Sequence, residues 1–122
     1  MLKDLDDLGG LYHDFSILGA RNRQLPGIYC PNQRCKAPII NAYIQLAIAK
    51  SKKKMDDDVT FTELFCADGY YDMVARFFGA TKFYGIDNNR DGFLPKAKLI
   101  AKRLGRTHIE FYSRRRQQYG PS

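Results

Sequence analysis

The chain has 122 residues, with 20 Lys or Arg against 13 Asp or Glu and a formal net charge of +7. That length, with 44% hydrophobic and 13% aromatic residues, fits one small folded domain and excludes a disordered or collagen-like chain. No apolar run approaches the roughly 18 residues that cross a bilayer. The acidic start MLKDLDDLGG lacks the layout of a secretory leader, so a cytoplasmic protein with no membrane partner is expected.

Residues 1–57 read as an N-terminal extension. LKDLDDL can form one or two helical turns, and LYHDFSILG shows some apolar alternation. ARNRQLPGIYCPNQRCK is polar and broken by Pro26, Gly27 and Pro31, which predicts a loop. A helix is predicted over about 38–52, with Pro38 in its first turn. Ile40, Tyr43, Ile44, Ala47 and Ile48 form its apolar face,. KKKMDDD is then a charged hinge.

Residues 58–122 alternate in texture. VTFTELFC is strand-like, rich in β-branched and aromatic residues,. YYDMVARFFG is helical, with Met73, Val74, Phe77 and Phe78 on one face and Gly79 as its stop,. TKFYGID is a second strand. FLPKAKLIAKRLG is a second helix with Ala97, Ile100, Ala101 and Leu104 inward, and THIEFY is a third strand,. Strand–helix–strand–helix–strand predicts an α/β fold with a parallel sheet of about three strands and crossover helices.

The three cysteines are an odd number, which argues against a disulfide framework. Cys30 and Cys35 have a zinc-like gap, but too few other Cys or His residues exist to complete a four-ligand site. The excess charge lies mainly in KSKKK (Lys50 to Lys54) and RRR (Arg114 to Arg116). It favours an anionic partner such as RNA, although such runs are commonly a solvated linker and tail.

The turn after the first strand carries the functional signal. Asp87 ends the second strand 18 residues after Gly69. An acid there can accept two hydrogen bonds from a ribose diol, or simply cap the following helix. The glycine pattern of a dinucleotide fold would fall on Phe65, Ala67 and Tyr70, and Tyr70 blocks the close helix–strand packing it requires. Glu63 and Asp68 also crowd the place of a pyrophosphate. At about 4 Å two unit charges interact by roughly 4 kcal/mol at a surface-like dielectric, and here the sign disfavours NAD. It suits a cation: S-adenosylmethionine offers the same diol without phosphate, plus a sulfonium and an ammonium.

ELFCADGYY followed by FYGIDNN resembles motifs I and II of the Rossmann-like S-adenosylmethionine-dependent methyltransferases. The likeness covers about 55 residues, from Val59 to Tyr112. Glu63, Phe65, Ala67 and Gly69 match the spacing of motif I: an acid, then small residues at alternating positions. The resemblance implies that Glu63 orders the loop and the methionine ammonium. It implies that Ala67, Asp68 and Gly69 wrap the methionine part, that Asp87 holds the ribose, and that Asn88 lies by the adenine. A fainter similarity to the wobble-uridine tRNA methyltransferase group draws attention to Tyr12 and His13, although His13 also reads as an ordinary, partly buried histidine.

The family fold has seven strands, and the pattern of this chain predicts three, without the later acceptor-binding motifs. The expectation is therefore an incomplete methyltransferase fold: a fragment or part of an assembly, with no catalytic residue identifiable and no transfer alone. The rival expectation is a non-catalytic basic binding module on the same scaffold. The first strand would have an open edge, which self-association or a strand from FSIL would cover.

Overall fold

The computed structural model describes residues 1–114. The basic tail expected from Arg115 onward lies outside them. The fold is mixed α/β. Two short strands, β1 (Lys3–Asp4) and β2 (Ala20–Arg21), pair in parallel. The central sheet is β3 (Thr60–Leu64), β4 (Lys82–Asp87) and β5 (Ile109–Ser113), parallel and in that spatial order. The α-helices among the described residues are α1 (Tyr29–Ser51), α2 (Tyr70–Ala75) and α3 (Phe93–Arg103).

The strand order advances in one direction with a helix in each crossover. Right-handed crossovers then place α2 and α3 on the same face of the sheet. Burial agrees: Phe83 and Ile109 join Met73, Val74, Ile100 and Ala101 in the core, with Phe61 and Phe111 packed against it. The alternate positions Thr62, Leu64, Glu110 and Tyr112 are exposed, as strand periodicity requires. Leu5, Leu11, Phe15 and Ala20 of the N-terminal segment share this same buried cluster. The bidentate pair of Asp7 with Arg103 adds a tie between that segment and α3.

Helix α1 differs from expectation. It begins at Tyr29, not near Pro38, so half of the predicted loop is helical. The proline in its first turn is Pro31, where a missing N–H costs nothing. Pro38 lies inside the helix, on its exposed side, where the carbonyl it leaves unbonded can reach water. The apolar face is also narrower than predicted: Ile44 and Ile48 are buried, whereas Tyr43 is 70% exposed. At the end of α2 the chain tightens into a 3₁₀ turn, Arg76–Phe78. That change of pitch turns Phe77 out to solvent, 62% exposed, where Arg106 lies over its ring. LKDLDDL forms β1 and a 3₁₀ turn, Asp6–Leu8. FSIL supplies a second 3₁₀ turn, Ser16–Leu18, rather than a strand beside β3.

Gly85 in the middle of β4 allows α2 to approach the sheet. A Cβ there would lie 2.6 Å from Phe111 Cδ1 and 2.7 Å from Asp72 Oδ2. Gly85→Ala is expected to destabilise the fold by about 1–3 kcal/mol, the usual cost of overpacking, read as a lower urea midpoint. An unchanged midpoint would mean that Asp72 and Phe111 have room to yield.

Candidate functional site

A cavity of about 620 Å³ opens at the carboxyl ends of β3 and β4. Ligands of open parallel sheets bind outside those ends. β3 and its loop supply Glu63, Leu64, Phe65 and Ala67, and the end of β4 supplies Asp87 and Asn88. The wall opposite comes from Tyr12 and His13, from Gln33, Lys36, Ile40 and Ile44 of α1, and from Phe93.

The loop after β3 has an unusual backbone. Phe65, Ala67 and Gly69 all have positive φ, at 59°, 48° and 77°. These are the three positions that the alternating spacing singled out. Only glycine adopts this conformation freely. For Phe65 and Ala67 it costs on the order of 1–2 kcal/mol each, so the surrounding contacts must hold it. The Cys66 N–H donates to Ile86 O at 3.1 Å, and the Gly69 N–H donates to Cys66 O at 2.8 Å. The Ala67 N–H donates to Asp87 Oδ2 at 3.0 Å.

Asp87 thus joins the two strand ends. Its other oxygen accepts from the Asn89 N–H at 2.8 Å. Each carboxylate oxygen keeps a further lone pair, and the residue faces the cavity. The helix cap comes from Asn89, whose Oδ1 accepts from the Leu94 N–H at 3.0 Å. Asn88 is exposed at the rim and folds back on the Arg90 N–H.

Glu63 lines the cavity, and its Oε1 is buried without a hydrogen-bond partner. Burial, then the nearby charges of Asp72, Asp68 and Asp87, push its carboxyl well above the usual range. The same environment raises the buried thiol of Cys66. Spacing within the motif did not point to Asp72. It is fully buried on α2, with neither oxygen partnered, and burial pushes its carboxyl up to about 8. The available signal was an acid among the apolar residues of a short helix, beside Met73 and Val74.

Asp68, expected to offer charge to a bound cation, is turned away from the cavity. It is fully buried and both its oxygens are engaged by His13. The His13 N–H donates to Oδ2 at 2.8 Å, and the ring Nδ1 lies 2.6 Å from Oδ1. Gly69 is likewise buried, with Phe111 2.8 Å from where a Cβ would be; its part is to shape the loop. His13 stacks on Tyr70, with ring centroids 4.7 Å apart. The pair His13–Asp68 therefore docks the N-terminal segment onto the loop. The α1 wall was also missed, although Tyr29, Gln33, Lys36, Ile40 and Ile44 recur at helical spacing.

Cys30 and Cys35 are exposed on α1 and Cys66 is buried; all three are free thiols. Among the described residues no helix is long and apolar enough to cross a membrane. Compared with known proteins, the chain matches no family model, no curated protein and no solved structure.

Proposed function

We propose that the cavity binds S-adenosylmethionine and that the chain is a methyltransferase of the Rossmann-like class or its cofactor-binding portion. The observation that carries this reading is the loop after β3: left-handed backbone at Phe65, Ala67 and Gly69, following a strand end whose Glu63 has a buried, unpartnered oxygen. A cation beside that oxygen would relieve both its missing partner and the repulsion from neighbouring acids. A pyrophosphate there would worsen both.

In this reading Glu63 receives the ammonium, Ala67 bounds the methionine part, Asp87 takes the ribose hydroxyls, and Asn88 lies by the adenine. Asp68 and Gly69 act through the loop's shape. The bound cofactor supplies an activated methyl group. The protein's contribution is alignment of donor and acceptor, behind the aromatic wall of Tyr12, Tyr29 and Phe93. The acceptor is open, with RNA among the candidates because of the positive charge.

Calorimetry with S-adenosylhomocysteine and with NAD tests the reading. Binding of the first but not the second is expected. Binding of NAD alone, or of neither, overturns it. Asp87→Ala is expected to weaken S-adenosylhomocysteine by about 1.5–3 kcal/mol, the range for charge-assisted hydrogen bonds. An unchanged dissociation constant in a folded variant would remove Asp87 from the ribose.

A further inference from the structure

The end of the sheet opposite the cavity carries a cluster of cations. Lys82 begins β4, and His108 immediately precedes β5. Phe83 pairs with Ile109, so Lys82 and His108 stand side by side one residue earlier. Arg76 opens the 3₁₀ turn that follows α2, and Arg106 lies in the loop between α3 and β5. Packing against aromatic rings holds two of these side chains. The Arg106 guanidinium carbon lies 5.5 Å from the centroid of the Phe77 ring, with its Nε buried and unpartnered. The His108 ring lies 5.0 Å from that of Phe83.

A cation near a helix C-terminus ordinarily answers the last carbonyls. Here backbone N–H groups do so. Ala75 O and Arg76 O accept from Ala80 and Gly79, and Ala101 O and Lys102 O accept from Arg106 and Gly105. Acids do not neutralise the cluster either. Among the described residues, the arginines that form salt bridges are Arg21 and Arg103, with acids of the N-terminal segment. Of the hinge acids before β3, Asp57 accepts from the N–H groups of Lys53 and Lys54, and Asp58 from the Thr81 hydroxyl. Asp56 adjoins the same lysine run. Glu110 accepts from the Tyr112 hydroxyl on the far face of the sheet. The charges that act on the cluster are cationic. Burial and then the charge of Arg76 lower Arg106. Burial, then the charges of Arg76 and Arg106, lower His108.

We propose that Arg76, Arg106 and His108, with Lys82 beside them, bind a phosphate group at this end of the sheet. Like charges held together repel, and an anion among them replaces repulsion with attraction. Two guanidinium forks and an imidazole suit the several oxygens of a phosphate, whereas a carboxylate has two. The phosphate belongs to a nucleic-acid backbone or is a free ion, and the two sources are separable. The proposal does not rest on the methyltransferase reading.

Proton magnetic resonance of the full chain tests it, because His13 and His108 are its two histidines. Inorganic phosphate is added against sodium chloride of equal ionic strength. A saturable shift of the His108 ring resonances is expected, and its titration midpoint rises by about one unit as the anion favours the imidazolium. Arg76→Gln and Arg106→Gln are each expected to weaken phosphate by about tenfold or more through loss of a charge-assisted hydrogen bond. Arg76 is exposed, and unchanged His13 resonances verify that each variant is folded. The same His108 shift from a single-stranded RNA oligonucleotide, at lower concentration than phosphate, identifies a nucleic-acid backbone as the source. A shift with phosphate and none with RNA identifies the free ion. A His108 shift that chloride reproduces, one that survives both arginine changes, or none with either probe overturns the proposal. None of these outcomes bears on the S-adenosylhomocysteine titration, so the two readings fail separately.

Discussion

Asp72→Asn is expected to stabilise the protein by about 4–6 kcal/mol in mildly alkaline solution and to change little in acid, at about 1.36 kcal/mol per pKa unit. The carboxyl is fully buried with neither oxygen partnered. Burial raises it from the ordinary 3.8 to about 8. A raised acid binds its proton more tightly in the folded chain than in the unfolded one. Stability therefore falls as pH rises from near 4, where the unfolded side chain ionises, to near 8, where the folded one does. Glu63 is raised as well and adds to the same slope. Asparagine keeps the shape and one carbonyl oxygen but cannot ionise, so it removes Asp72's share. Urea unfolding of both proteins across this range is the measurement. A wild-type stability that is flat or rises between pH 4 and 8, or a variant no more stable in alkali, would mean that the Asp72 carboxylate has a partner in solution.

From β3 onward the order of elements was legible because two periods alternate there. TFTEL and KFYGID place every second residue inward, and Ala97, Ile100 and Ala101 fall on one side of α3. Upstream the same logic failed. Pro26, Gly27 and Pro31 read as breakers, but only the first two lie outside α1, and a proline in a first turn starts a helix as readily as it ends one. Within the site, spacing located Phe65, Ala67 and Gly69, and all three have left-handed backbone. Spacing could not say which way Asp68 points. Left-handed residues on both sides break the alternation that assigns side chains to faces, and a distant residue, His13, draws the carboxylate inward. Asp72 escaped for the opposite reason. A helical acid is ordinarily exposed, and only the close approach permitted by Gly85 and filled by Phe111 shows that this one is not.

Glu63 provides the sharpest test of the cofactor reading, because a bound cation lowers a carboxyl that its surroundings raise. In the free protein, burial and then the charges of Asp72 on α2, Asp68 in the loop and Asp87 on β4 hold its carboxyl well above the ordinary range. An ammonium placed beside Oε1 favours the carboxylate, so binding lowers this raised carboxyl and releases the proton wherever the free protein still holds it. By linkage, the dissociation constant of S-adenosylmethionine then falls as pH rises, by up to about tenfold per unit while one proton is released. The gain ends where pH passes the free protein's own value for Glu63. Calorimetric titration near neutral pH in two buffers of different ionisation heat counts the protons directly. Proton release is expected for the wild type and close to none for Glu63→Gln, which is also expected to bind more weakly by about 1.5–3 kcal/mol through loss of a charge-assisted bond. Binding without proton release would show that the ammonium lies elsewhere. Proton uptake would show that the ligand's negative end, not its positive one, faces Glu63.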